Sequence, residues 1–151
     1  MIRVVIADDQ AAVREGLAML VGLVHDIEVV GTAGDGVEAV RLARDLEPDV
    51  VLLDLRMPEL DGVGATRKLS DATHVLVLTT YADDDSLFPA LEAGARGYLT
   101  KDATAEEIER AIRAVAEGHT HLDAAIQQRL VAAALAGPRR PASFPDELTD
   151  R

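Results

Sequence analysis

Residues 50–54 read Val50-Val51-Leu52-Leu53-Asp54, four consecutive apolar residues followed by one carboxylate. Successive side chains of a strand point to opposite faces of its sheet, so an unbroken apolar run predicts a strand that is covered on both faces. Such strands are typical of parallel sheets with helices packed on either side. Val75-Leu76-Val77-Leu78-Thr79 has the same pattern. The two stretches therefore predict neighbouring elements of one buried parallel sheet.

Outward from these residues, short apolar runs recur at the spacing of strand–helix units. Their starts lie 25, 23, 25 and 21 residues apart, and the runs span residues 2–7, 27–32, 50–54, 75–79 and 96–99. Between the first two, apolar residues at Val13, Leu17, Val21 and Val24 have the spacing of a buried helix face. We expect an α/β fold with a doubly wound five-stranded parallel sheet, in the flavodoxin-like order 2-1-3-4-5.

Three further helices are predicted near residues 37–46, 60–69 and 86–93. Pro89 falls inside the last of them. Proline lacks an amide hydrogen and disfavours helical geometry at the residue before it, so this helix should begin late, near Ser86, or be irregular.

Composition excludes several classes of function. The 151 residues include 15 basic and 27 acidic side chains, and the net charge of −12 repels nucleic-acid phosphates. Two Tyr, two Phe and no Trp leave few rings to stack on bases. The absence of Cys excludes disulfides and thiolate metal sites. The longest apolar run, residues 16–24, is too short to cross a membrane.

The character of the sequence changes after Gly118. Leu122, Ile126 and Leu130 predict an extra C-terminal helix, and residues 137–145 contain three prolines. We therefore expect three parts: a domain over residues 1–118, a linker helix over 119–136, and a flexible linker over 137–151 toward a further domain that is absent from this sequence.

Polar side chains follow four of the five predicted strands, at the edge where ligands bind in open α/β sheets. Asp8-Asp9, Asp54, Thr79 and Lys101 stand at these ends. Like charges 4 Å apart repel by ~4 kcal/mol at an effective dielectric constant of ~20, so three carboxylates need a cation. Oxygen ligands favour Mg²⁺, which leaves positions for phosphoryl oxygens. Each residue alone could be an ordinary cap, turn or surface residue, but together they favour an acceptor carboxylate with Thr79 and Lys101 binding the phosphoryl group.

Four motifs make residues 1–118 resemble the receiver domain of two-component response regulators. They are Val4-Val5-Ile6-Ala7-Asp8-Asp9, Asp54-Leu55-Arg56-Met57-Pro58-Glu59-Leu60-Asp61-Gly62, Leu78-Thr79-Thr80 and Gly97-Tyr98-Leu99-Thr100-Lys101-Asp102. The Lys-Asp ending and the helix after Gly118 are most similar to the NarL/FixJ branch, whose output is a LuxR-type helix-turn-helix. Leu148-Thr149-Asp150-Arg151 resembles the opening of that output domain.

This resemblance implies the chemistry of the site. Asp54 is then the phosphoacceptor, and Lys101 is the lysine that pairs with the phosphoryl group. Asp8 and Asp9 are the acidic pair that serves Mg²⁺, together with Asp54 and the backbone carbonyl of Arg56.

The resemblance also implies a switch. Thr79 is the hydroxyl that moves toward the phosphoryl group, and Tyr98 is the aromatic residue that changes orientation to fill the space. Arg56 and Tyr81 occupy positions that tune dephosphorylation. Many receivers have proline after the lysine, but Asp102 follows here, so we expect a trans peptide bond at that point.

We expect a cytoplasmic signalling domain that receives its phosphoryl group from a sensor histidine kinase and forms a homodimer on activation. It would contact DNA only through the absent output domain, and it would be no enzyme beyond its own phosphorylation and autodephosphorylation. The main alternative is a receiver-like interaction module that needs no phosphate. An aspartyl phosphatase is disfavoured because Asp8-Asp9-Gln10 is not Asp-x-Asp, and an FMN-binding flavodoxin because carboxylates occupy its phosphate loop.

Overall fold

The computed structural model describes residues 1–57, 61–79 and 84–136, without the side chains of residues 84–86. Within these ranges the strands are β1 (Ile2–Ala7), β2 (Ile27–Ala33), β3 (Val50–Leu53), β4 (His74–Thr79), β5 (Gly97–Thr100) and β6 (His121–Leu122). The helices are α1 (Ala11–Gly22), α2 (Gly36–Leu46), α3 (Gly62–Leu69), α4 (Asp84–Glu92), α5 (Ala105–Ala116) and α6 (Ala124–Leu135).

The strands form one parallel sheet in the order β2-β1-β3-β4-β5-β6. The predicted flavodoxin-like α/β fold is therefore confirmed, but the predicted count of five strands is wrong, because the described residues form six. The sixth strand has only two residues, whose partners are Gly97 for His121 and Tyr98 for Leu122. A Cβ atom at residue 97 would lie 2.5 Å from Leu76 Cδ1 and 3.0 Å from Val115 Cγ2, so glycine there allows close packing between β4, β5 and α5.

Two apolar layers cover the sheet, as the unbroken runs predicted. Odd-numbered residues of β3 and β4, such as Val51 and Val77, pack with buried residues of α2, α3, α4 and α6. Even-numbered residues, such as Leu52 and Leu76, pack with α1 and α5. Each fully buried aliphatic side chain contributes about 1.5–3 kcal/mol relative to exposure. None of the described helices has both the length and the apolar character that a membrane span needs.

Side-chain caps fix where four of the helices begin. Asp35, Asp61, Thr104 and Asp123 each accept a hydrogen bond from a backbone N–H in the first turn of the following helix. Such caps satisfy amide groups that have no partner inside the helix. The cap at Asp61 explains why α3 begins at Gly62 rather than near residue 60.

The start of α4 differs by two residues from the predicted start near Ser86. This helix begins at Asp84, two residues before Ser86, and Pro89 lies inside it. Because Pro89 is the sixth helical residue, its missing amide removes only the bond that would reach the carbonyl of Asp85. One lost bond near a helix end does not prevent the first turn from forming.

Gly62 and Gly16 provide a matched test of how tightly α3 packs beside the end of β3. A Cβ atom at Gly62 would lie 2.2 Å from Leu55 Cα, whereas one at Gly16, in α1, meets nothing within 4 Å. Gly62→Ala should therefore lower the free energy of unfolding by about 1–3 kcal/mol. Gly16→Ala should raise it by up to about 1 kcal/mol, because alanine favours helix. Urea unfolding followed by circular dichroism measures both, and equal effects would contradict this packing.

Candidate functional site

The candidate site lies at the carboxyl ends of β1, β3, β4 and β5. Asp8 and Asp54 come directly after β1 and β3, and their backbone amides donate to Ala33 and Ala7 carbonyls at 3.0 Å each. The Lys101 amide donates to the Thr79 carbonyl at 2.7 Å. Each residue is therefore held by a backbone bond to the neighbouring strand, which fixes where its side chain starts.

Three carboxylates from two different loops converge at this edge. Oxygens of Asp8, Asp9 and Asp54 all lie within 4.8 Å of one another. Asp8 and Asp54 are only 1% and 5% exposed, whereas Asp9 is exposed. One oxygen of Asp8 accepts a hydrogen bond from the backbone amide of Gln10 at 2.9 Å. The structure thus brings together the acidic residues that the sequence placed at separate strand ends.

The ammonium group of Lys101 contacts this cluster. Its Nζ lies 2.6 Å from Asp8 Oδ2 and 3.3 Å from Asp54 Oδ2, and its side chain is 17% exposed. Burial alone would lower the pKa of Lys101, but the hydrogen bond to Asp8 and the charges of Asp54 and Asp8 outweigh burial and raise it. Lys101 therefore stays protonated at neutral pH and links β5 to the ends of β1 and β3.

Asp54 is held in an environment that disfavours its ionised form. Burial is the main cause, and with the nearby charge of Asp8 it raises the pKa of Asp54 above its ordinary value. A hydrogen bond from the Arg56 amide to Asp54 Oδ1, at 3.2 Å, and the Lys101 ammonium oppose that shift without cancelling it. An additional cation in the site would therefore stabilise the ionised form of Asp54.

The donor set fits Mg²⁺. Three carboxylates and one ammonium leave two negative charges, which one divalent cation neutralises. Oxygens on opposite sides of a bound Mg²⁺ lie about 4.2 Å apart, twice the usual Mg–O distance. Of three such ligands at most one pair can lie on opposite sides, and neighbouring oxygens lie about 3 Å apart, so carboxylate oxygens within 4.8 Å of one another need to close by at most about 2 Å. No sulfur or imidazole ligand is present in the cluster, which also favours a hard cation.

The remaining predicted residues occupy different positions around this cluster. Thr79 is buried at the end of β4 and pairs with Thr100 in the sheet register. Tyr98 is fully buried on the same face of the sheet as Val77, which precedes Thr79 by two residues. Arg56 is exposed at its side chain. Tyr81 lies outside the described residues.

The structure bears on two expectations from the sequence: a change of orientation at Tyr98 and a trans peptide bond before Asp102. Tyr98 packs with buried residues of α4 and α6, so any change of orientation would carry it out of the core rather than further in. No peptide bond among the described residues is cis, so the bond from Lys101 to Asp102 is trans as expected.

Two residues that hold this edge in place were not predicted from the sequence. Arg14, in the first turns of α1, donates from Nη1 to the Asp8 carbonyl at 2.8 Å. Helical side chains lean toward the helix N-terminus, so an arginine one turn inside α1 could have been expected to reach back to that loop. Asp123 accepts the Thr100 amide at 3.1 Å, but no sequence spacing indicates this contact across 23 residues.

Comparison with known proteins identifies the family. The model of the response regulator receiver domain matches residues 4–113, well over half of the chain. The chain belongs to the response regulator receiver family. It is 47% identical over 135 residues to the transcriptional regulatory protein LiaR of Bacillus subtilis, covering 87% of this chain and 64% of LiaR. The chain thus spans less than two thirds of that relative.

Solved structures agree with the receiver assignment. The receiver domain of the response regulator NarL from Mycobacterium tuberculosis is 37% identical, with a TM-score of 0.75 over 78% of this chain and 98% of that one. A LuxR-family response regulator from an Aurantimonas species is 34% identical, with a TM-score of 0.82 over 88% and 97% of the two chains. This receiver is therefore a signalling domain rather than a classical enzyme, and its relatives are NarL/LuxR-type regulators.

Mg²⁺ should stabilise this receiver. At about 100 times its dissociation constant, a ligand that binds only the folded state adds ~2.7 kcal/mol to stability. Thermal unfolding followed by circular dichroism should show a midpoint raised by several degrees with Mg²⁺. Asp9→Asn should lose most of that rise, whereas Asp71→Asn, at an exposed loop position, should keep it. Equal rises in both variants would show that the cation binds elsewhere.

The raised pKa of Asp54 predicts a pH dependence of stability. The folded chain holds this proton more tightly than the unfolded chain, so the stability that Asp54 confers falls as pH rises above its ordinary pKa of 3.8. Asp54→Asn should therefore increase the free energy of unfolding at pH 7 in the absence of Mg²⁺. The increase should shrink as pH is lowered toward 3.8.

Urea unfolding at several pH values measures this difference. Asp45→Asn, at an exposed position of α2, is the control and should give no comparable gain. A wild-type chain more stable than Asp54→Asn at pH 7 would contradict the proposed cost of ionising Asp54.

Proposed function

We propose that this receiver accepts a phosphoryl group on Asp54 and thereby changes a surface that controls dimerisation and a DNA-binding output domain. The observation that carries the proposal is the contact of Lys101 Nζ with both Asp8 and Asp54, at 2.6 and 3.3 Å, inside a largely buried acidic cluster. This arrangement combines a nucleophilic carboxylate with a fixed positive charge beside it.

The phosphoryl donor is a phosphohistidine of a sensor kinase. A carboxylate oxygen of Asp54 forms the new bond to phosphorus while the bond between phosphorus and the imidazole nitrogen breaks, and the leaving imidazole takes up a proton. Lys101 stays protonated and stabilises the charge that accumulates on the phosphoryl oxygens. Mg²⁺ held by Asp8, Asp9, Asp54 and the Arg56 carbonyl would supply further charge neutralisation.

Thr79 and Tyr98 form the proposed switch. The Thr79 hydroxyl would donate to a phosphoryl oxygen, and Tyr98 would occupy the space beneath it. Because Tyr98 is already fully buried, we assign its buried position to the phosphorylated form and an outward rotation to the unphosphorylated form. Shifting such an equilibrium from 1:99 to 99:1 requires ~5.5 kcal/mol of preference, which several charge-assisted hydrogen bonds can supply. Arg56 and Tyr81 would tune the rate of dephosphorylation.

The wider role follows from the kind of relatives that the chain matches. We assign residues 1–118 to the receiver and residues 119–136 to a linker helix that contains α6; residues 137–151, the predicted connection, lie outside the described residues. This connection would lead to a helix-turn-helix domain that binds DNA, in a cytoplasmic regulator that forms a homodimer when phosphorylated. LiaR, a transcriptional regulator of which this chain spans 64%, supports that architecture.

Phosphorylation is tested by incubation with acetyl phosphate and Mg²⁺, followed by intact-mass analysis. The wild-type chain should gain the mass of one phosphoryl group, and omission of Mg²⁺ should reduce that gain by at least about tenfold. Asp54→Asn should gain nothing, because it lacks the acceptor carboxylate. Asp45→Asn should behave like the wild type.

An unmodified wild-type chain would overturn the proposed acceptor role. That result would favour the interaction module that needs no phosphate. Turnover of free phosphomonoesters would instead favour a phosphatase.

A further inference from the structure

Asp123 joins α6 to the end of β5 through both of its carboxylate oxygens. Oδ1 accepts the Ile126 amide at 3.0 Å and so caps α6. Oδ2 accepts the Thr100 amide at 3.1 Å, and the Thr100 hydroxyl lies 3.4 Å from the same oxygen. The side chain is 8% exposed, so these bonds are largely shielded from water.

The position of this bridge follows from the hydrogen-bonding pattern of a parallel strand. Backbone groups of alternate residues point to opposite sides, so those of Tyr98 and Thr100 face β6 while those of Lys101 face β4. The Asp123 amide donates to the Tyr98 carbonyl at 3.3 Å, and the Lys101 amide donates to the Thr79 carbonyl at 2.7 Å. β6 ends at Leu122, and the carboxylate of Asp123 supplies the acceptor for Thr100 where a longer strand would have supplied a carbonyl.

We propose that Asp123 is a positioning residue for Lys101, and that it couples phosphoryl binding to the docking of α6. Thr100 directly precedes Lys101, so two consecutive peptide groups are held from opposite sides, by Asp123 and by Thr79. This restraint sets where the Lys101 side chain begins and so how its Nζ meets the acidic cluster. The inference rests on the function proposed above, because it concerns the lysine of that same site.

The coupling is reciprocal by thermodynamic necessity. If docking of α6 through Asp123 favours the position of Lys101 that binds a phosphoryl group, then binding of that group favours docked α6 to the same extent. Ile126, the fully buried anchor of α6, packs in the same apolar cluster as Tyr98. The helix that leads out of the receiver is thereby connected to the site through one side chain and one shared core.

A helix cap alone does not require a carboxylate. Serine caps helices about as well as aspartate, but it has a single oxygen on a shorter side chain and cannot also reach Thr100. Asp123→Ser therefore keeps the cap and removes the bridge. Ala124→Gly is the matched control, because it weakens the first turn of α6 and leaves Asp123 intact. Asp123→Asn is a second variant, since its amide offers only one acceptor oxygen for the two amides.

The test compares the affinity of these chains for Mg²⁺ alone with their affinity for beryllofluoride in saturating Mg²⁺, by isothermal titration calorimetry. Beryllofluoride binds to a carboxylate as a phosphoryl group does. We expect Asp123→Ser and Asp123→Asn to bind beryllofluoride at least about fivefold more weakly than the wild type, with Mg²⁺ affinity changed by less than about twofold. Ala124→Gly should bind both as the wild type does.

Hydrogen exchange measures the reverse direction. In the wild type, beryllofluoride should slow hydrogen exchange at the backbone amides of Ile126 and Gln127. In Asp123→Ser it should leave exchange at these two backbone amides unchanged. Wild-type binding of beryllofluoride by both Asp123 variants, or an equal loss in Ala124→Gly, would overturn the positioning role while the proposed function stands. A wild-type chain that binds no beryllofluoride with Mg²⁺ would overturn the proposed function and this inference with it.

Discussion

Electrostatic repulsion among three carboxylates at one edge of the sheet is the constraint on which the site depends. Asp8, Asp9 and Asp54 lie within 4.8 Å of one another, and two of them are almost fully buried. Lys101 offsets part of that repulsion by contacting Asp8 and Asp54, and in doing so it joins the ends of β1, β3 and β5. The remaining negative charge gives the site its affinity for a divalent cation, and through that cation for a phosphoryl group. Gathering like charges lowers the stability of the receiver without a bound cation. The site therefore responds when a cation binds and reduces the repulsion.

The sequence carries enough information to predict the sheet and the composition of the site. Strands such as Val50–Leu53 are apolar on both faces, so their runs stand out from the helices between them. Parallel strands all present their carboxyl ends at one edge, so residues far apart in the chain could be placed together once the runs were aligned. The predicted strand boundaries differ from the observed ones by one residue where the apolar pattern is ambiguous. Examples are His74, which begins β4, and Ala33, which ends β2.

Features that depend on single long-range contacts could not be predicted from periodicity. β6 has only two residues and leaves no recognisable apolar run, although it pairs with Gly97 and Tyr98 of β5. The contact of Asp123 with Thr100 joins a side chain to a backbone amide 23 residues away, and no spacing rule specifies such a bond. The start of α4 also differs from the prediction, by two residues, because a proline at the sixth helical position does not prevent the first turn from forming. β6 and the contact of Asp123 with Thr100 connect the site to α6, so the grouping of the carboxylates with Lys101 was predictable while that connection was not.

The most direct test of the acidic cluster is to locate a cation in it. Mn²⁺ accepts the same oxygen ligands as Mg²⁺ and gives an anomalous signal in diffraction. Crystals of the wild-type chain grown with Mn²⁺ should show one strong anomalous peak within coordination distance of Asp8, Asp9 and Asp54. A peak confined to other acidic residues, or no peak at this edge of the sheet at saturating Mn²⁺, would contradict the account.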